Sequence, residues 1–348
     1  MARKKTTRRS PQRALRLARC SDEQLLALRF RDLRLSLKHA SIAPHIERLY
    51  RELESRGLGF RPHVWLADEW FSPDGVPGFA IPFYLADPRL ARLERKMMRE
   101  VEGGNTNWLM RILRHEAGHA IDTAYRLRRR KDWRKVFGKA STPYPTVYRP
   151  TPTSKRYVLH LGHWYAQTHP TEDFAETFAV WLQPRSRWRR DYAGWPALRK
   201  LTYVDALMTQ LQRAQRKNHV RTVIEPLNKN QRTLREHYRR EYRRYSMEAT
   251  DAYDTQLRRL FGERVDRRGA SATSLLRALR PSITRELTRD ARINAYLVHN
   301  VVRMIIERCR ELKLAVRGPQ RAARRRARNL VERVVFDMMY RRRQQYAL

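Results

Sequence analysis

Cysteine is almost missing from this chain: 348 residues carry two, Cys20 and Cys309, far apart. No C-x-x-C pair exists, which excludes a thiolate zinc site, and two distant thiols make no disulfide framework. The first twenty residues, "MARKKTTRRSPQRALRLARC", contain no acidic residue and no apolar stretch of signal-peptide type. A secretory signal is therefore excluded, and residues 1–20 read as a disordered basic arm in preference to a transit peptide. No uninterrupted apolar run reaches membrane-spanning length, so no membrane span is expected and the chain reads as cytoplasmic. There is also no internal repeat.

Acidic residues are scarce throughout. Lys and Arg number 75 against 35 Asp and Glu, a net charge of +40. An excess of that size predicts attraction to nucleic acid or another polyanion, weakened by salt. The plainer alternative is a coat of solvated guanidinium over every helix. Hydrophobic residues make up 41%, enough for a core, and the length suits two domains.

Periodicity places the elements. "SDEQLLALRFRDLRLSL" begins at a Ser21 cap and recurs with helical spacing at Leu25, Leu28, Leu33 and Leu37. A helix over about 43–56 follows. "FRPHVWLADEW" and "GVPGFAIPFYLA" then read as strands separated by a turn-like "SPDG", with further sheet expected around "YVLHLGHWY". Helices are predicted over about 88–101, from 106 or 107 past Tyr125 into the basic "RLRRRK", and over 170–182; residues 138–154 read as loop. Beyond about Lys217 the pattern is helical and basic, with one long helix over 234–260 and breaks at Gly269, Pro281 and Gly318-Pro319.

The chemistry concentrates in "LRHEAGHAID", residues 113–122. On a helix, positions i and i+4 project from nearly the same side, so His115 and His119 present two imidazoles to one metal ion. Glu116, one step round, reaches a water on that metal without ligating it. Ala117 and Gly118 are small and leave room for packing. Zinc needs a third protein ligand, and "HWYAQTHPTEDFAETFAVWL" supplies Glu172 and Glu176 on one face of an apolar helix. Glu172 is the candidate ligand. Glu176 is placed to hold a ligating imidazole from the outer shell, fixing its tautomer. Asp122 reads as an outer-shell group or a helix-packing group, and Asp173 as a surface acid. His163 is the spare candidate for a substrate contact among His160, His163 and His169.

H-E-x-G-H-A-x-D followed by H-P-x-E-D-F-A-E-x-F-A resembles a bacterial zinc-binding metallopeptidase family, and is more distantly similar to the anthrax lethal factor catalytic domain and other gluzincins. The resemblance spans about residues 22–185 and is sharp in the two motif helices. It implies a zincin-like domain, 21–216, with a small sheet and active-site helices; the all-α Arg-rich region, 217–348, expected from its pattern, has no counterpart in the resemblance, and the fold class expected for the whole is α+β. It implies zinc (Zn2+) held by His115, His119 and Glu172, with Glu176 orienting a histidine, and places Tyr165 seven residues before the ligating Glu. The expected activity is peptide hydrolysis by metal-activated water with Glu116 as general base. Tyr165 is then the first candidate to stabilise the oxyanion, and "GFAIPFYLA" the candidate strand edge for a peptide substrate. Two rivals stand beside this: a nucleic-acid-associated basic protein with a vestigial metal site, and a zinc hydrolase of a non-peptide amide.

Overall fold

The computed structural model describes residues 14–145, 150–151, 153–162, 164–245, 253–263, 270–289, 293 and 295–343. His163, Gly269 and the first thirteen residues, with their expected roles, lie outside that set. Ala14–Arg19, inside the expected disordered arm, is a short helix. The Ser21 cap forms as read: its hydroxyl accepts from the Gln24 N–H and the Gln24 side chain returns to the Ser21 N–H. That helix, Asp22–Ala27, stops short of its apolar periodicity because Leu28 turns extended and its carbonyl accepts from the Leu234 N–H.

Helix α1 (Ala43–Ser55) leads into β1 (His63–Ala67), which pairs with β2 (Gly78–Pro82). The pairing is parallel, with His63 opposite Gly78. "SPDG" is therefore no hairpin turn but part of a ten-residue crossover, 68–77. Gly78 is required at the crossover's exit: a Cβ there would lie 2.0 Å from the His63 carbonyl oxygen. β2 is buried along its whole length, and the Ala80 N–H bonds the Phe71 carbonyl. The expected substrate edge is thus already covered.

Helix α2 (Pro88–Met98) precedes the first motif helix, α3 (Thr106–Tyr125). Asn105 caps α3 by accepting from the Trp108 N–H. α3 ends at Tyr125, earlier than expected, because Arg126 adopts a left-handed conformation (φ 54°). The second motif helix, α4 (Pro170–Leu182), packs across α3, and α5 (Ala197–Leu211) packs on α4. α4 is capped by His169, and every residue after Pro170 is buried. "YVLHLGHWY" forms no strand among its described residues. The Leu159 N–H goes to the Tyr192 hydroxyl and the Leu161 N–H to the Glu176 carboxylate, so these backbone donors are spent on side chains.

Helix α6 (Leu234–Tyr245) folds back on the first region: the Tyr238 hydroxyl donates to Glu94 at 2.8 Å and the Tyr242 hydroxyl to the Met97 carbonyl at 3.0 Å. The next helix begins at Asp254 with Tyr253 at its N-cap; residues 246–252, in the middle of the expected long helix, lie outside the described residues. The region is not all-α. β3 (Phe261–Glu263) and β4 (Leu314–Val316) pair antiparallel beside α7 (Ala272–Leu287), α8 (Ala295–Glu311) and α9 (Gln320–Arg343). Pro281 does not break α7. It lies on the exposed side, and the Ser282 and Thr284 hydroxyls donate to carbonyls of the preceding turn.

Candidate metal centre

α3 and α4 cross where both have their smallest side chains. A Cβ at Gly118 would stand 2.8 Å from the Ala175 Cα, so the two backbones are as close as this sequence allows. Ala175 lies between Glu172 and Glu176, and Gly118 between His115 and His119. The crossing therefore brings Glu172 onto both imidazoles and Glu176 onto His115.

His115 Nε2, His119 Nε2 and Glu172 Oε2 form a triangle: 3.1 Å between the nitrogens, 3.1 Å from His115 to the carboxylate and 3.3 Å from His119. Tetrahedral zinc ligands at about 2.0–2.2 Å from the metal stand about 3.3–3.5 Å from one another. The triangle fits such an ion, and the same three residues form the one cluster of metal-ligating groups among those described. Its electrostatics favour a cation. Burial opposes charge on His115, yet Glu172 and Glu176 outweigh it and raise its pKa to about 9. Glu172 is held well below the usual carboxylate range: its burial is overcome by the two imidazoles.

The surroundings fix each ligand. Glu176, fully buried, accepts from His115 Nδ1 at 2.8 Å and from the Leu161 N–H at 2.7 Å. The Nδ1–H tautomer leaves the His115 Nε2 lone pair for the metal. Tyr144 donates to Glu172 Oε1 at 2.9 Å, which leaves Oε2 facing the histidines. Its ring stacks on His169 at 4.0 Å, and His169 donates from Nε2 to the Thr142 carbonyl. Sequence reasoning missed Tyr144, because it comes from the Pro-rich loop, where no periodicity points to a face. Ser72 was missed for the same reason: its hydroxyl, carried on the β1–β2 crossover, donates to Glu116 Oε2 at 2.7 Å.

The Tyr165 ring lies against His115, centroids 5.6 Å apart, on a short 3-10 turn before α4. Asp122, read as an outer-shell or helix-packing group, serves the helix end. Its carboxylate is taken by the backbone N–H and guanidinium of Arg128, which closes the end of α3. Asp173 is not a surface acid: it is buried and paired with Lys200. His160, also buried, bonds the Arg111 carbonyl. On the far side of α3, the buried Arg114 makes a bidentate pair with Glu52 of α1, at 2.7 and 2.9 Å.

Residues 86–189 match the model of a family described as "Putative zinc-binding metallo-peptidase". The matched segment contains both motif helices and all three triangle residues. No curated protein and no solved structure matches the chain, and the expected distant similarity to lethal factor is not shown. Among the described residues, no helix is long and apolar enough to cross a membrane.

Proposed function

We propose that the chain is a zinc-dependent peptidase of the gluzincin type, with His115, His119 and Glu172 as metal ligands and Glu116 as general base. The observation that carries this reading is the His115–His119–Glu172 triangle, in a segment that matches a zinc-binding metallopeptidase family. Zinc there supplies Lewis acidity to the scissile carbonyl and lowers the pKa of the attacking water toward about 7. The chain's own residues do the rest. Glu116 accepts the water's proton and delivers it to the departing amine nitrogen. Tyr165, against His115, donates to the oxygen of the scissile carbonyl as charge gathers on it. Glu176 and Tyr144 keep the ligands aimed. Purified protein should hold one zinc per chain, sharply weakened in Glu172→Ala. Glu116→Gln should keep the metal and abolish cleavage of a quenched-fluorescent peptide library. Cleavage of small amides but no peptide would turn the reading to a non-peptide hydrolase.

A second activity is favoured by one surface. α9 presents Arg321, Arg324 and Arg325 exposed, without an ion pair among the described residues, in a stretch (312–331) with no acidic residue. Helical spacing gathers them toward one side of α9, a row suited to the phosphates of nucleic acid. Replacing the three by Gln should flatten the log–log salt dependence of duplex DNA binding by about 2 to 3. An unchanged slope would reduce the row to a solvated face.

A further inference from the structure

The crossover between the two parallel strands passes over the catalytic face of α3 and is fastened to that helix's surroundings at three points. Ser72 donates to Glu116 Oε2 at 2.7 Å. Two residues on, Asp74 pairs with Arg128 at 2.9 Å, and the same guanidinium binds the buried Asp122 of α3. The Gly75 carbonyl accepts from the Asn218 side chain at 2.7 Å. Phe71 adds a backbone bond to Ala80 of β2, so the segment around Ser72 is anchored on both sides. Gly75, at φ 80°, turns the chain at the last of these anchors.

Ser72 and Glu116 are both half-buried, and among the described residues Ser72 is the only hydrogen-bond partner of Glu116. A glutamate with one fixed oxygen has little freedom left. The bond takes Oε2 and leaves Oε1 as the oxygen open to a proton. A carboxylate free to rotate would spend much of its time aimed away from the water it must deprotonate, and small misplacements of a catalytic group cost large factors in rate. A hydroxyl on a fastened loop removes that freedom before substrate arrives.

We infer that Ser72 is a positioning residue for the general base: it holds Oε2 of Glu116 so that Oε1 accepts the proton of the attacking water and returns it to the leaving amine. The inference rests on the peptidase reading, in which Glu116 is that base. The strap 68–77 is then part of the catalytic machinery, although it carries no metal ligand.

The test uses the full-length, zinc-loaded protein. Ser72→Ala should keep one zinc per chain and an unchanged KM on a quenched-fluorescent peptide substrate, while kcat falls about tenfold or more, the scale of a lost hydrogen bond to a charged group. Ser72→Thr, which keeps the hydroxyl, should recover most of kcat. A second readout needs no turnover. Acetohydroxamate gives up its hydroxyl proton when it chelates zinc, and its affinity should fall in Ser72→Ala and in Glu116→Gln together, since both disturb the same proton acceptor. If the wild type cleaves no peptide, the peptidase reading fails, and the hydroxamate comparison still decides the role of Ser72. Wild-type kcat and hydroxamate affinity in Ser72→Ala would overturn the inference. Loss of zinc in that variant would overturn it too, by making the strap a structural support of the ligands.

Discussion

Gly118→Ala tests the geometry of the centre with one methyl group. The new Cβ would meet the Ala175 Cα at 2.8 Å and its Cβ and carbonyl oxygen at 3.2 Å. Carbon atoms rest at about 3.5–4.0 Å, so the helices must part by about 0.8 Å. Ala175 and Glu172 are three residues apart on the same helix, so that carboxylate cannot stay behind. The histidine–carboxylate edges, now 3.1 and 3.3 Å, would open toward about 4 Å, wider than tetrahedral zinc spans. Overpacking costs about 1–3 kcal/mol, and the better helix propensity of Ala returns about 1 kcal/mol. Metal-free stability should therefore fall by about 0–2 kcal/mol, while the zinc Kd rises at least about tenfold. Chelator competition and thermal melts of the metal-free protein measure the two separately. A variant that binds zinc like the wild type and melts higher would refute the argument, because it would mean that the crossing has slack.

Three further outcomes follow from other parts of the molecule. Tyr144→Phe removes the donor to Glu172 Oε1 without changing shape; the zinc Kd should rise about tenfold, read by chelator competition, with the far-ultraviolet circular dichroism unchanged. Glu52→Ala strands the buried Arg114 guanidinium and should cost about 3–5 kcal/mol in urea unfolding, much of it recovered when Arg114 is also replaced by Met. Glu100, which accepts from the Ala295 N–H, is pushed up to about 7 by burial. Below its ordinary value of 4.5 the group is protonated folded or unfolded and costs nothing. As pH rises from there toward 7 the unfolded chain ionises while the folded one resists, so stability is lost across that window, by about 3 kcal/mol in all. Glu100→Gln should remove that slope; an identical pH dependence in the variant would exclude Glu100 as its source.

The metal centre was legible because it is helical. His115 and His119 share one face by their spacing, with Glu116 one step round, Glu172 and Glu176 share another, and the small residues at 117 and 118 left room for packing. The crossing then brought the two faces together. What was hidden came from segments without a period. Tyr144 and Ser72 sit on loops whose course depends on distant contacts, Thr142 with His169 in one case and Asp74 with Arg128 in the other. The strand pair was visible as two short apolar runs, but its direction was not, since "SPDG" serves a crossover as well as a hairpin. Asp173 looked exposed because nothing nearby in sequence predicts Lys200, which reaches it from α5. Pro281 looked like a stop, yet it lies on the solvent side of α7 and the helix carries through it.

The covered edge of β2 bears on selectivity. A peptidase that offers an open strand grips any chain through its main-chain amides, and such grip is indifferent to sequence. Here Phe71 already fills the bond at Ala80, and the strand lies inside the protein. Under the proposed activity, a peptide substrate would therefore have to find its main-chain partners on a segment other than β2.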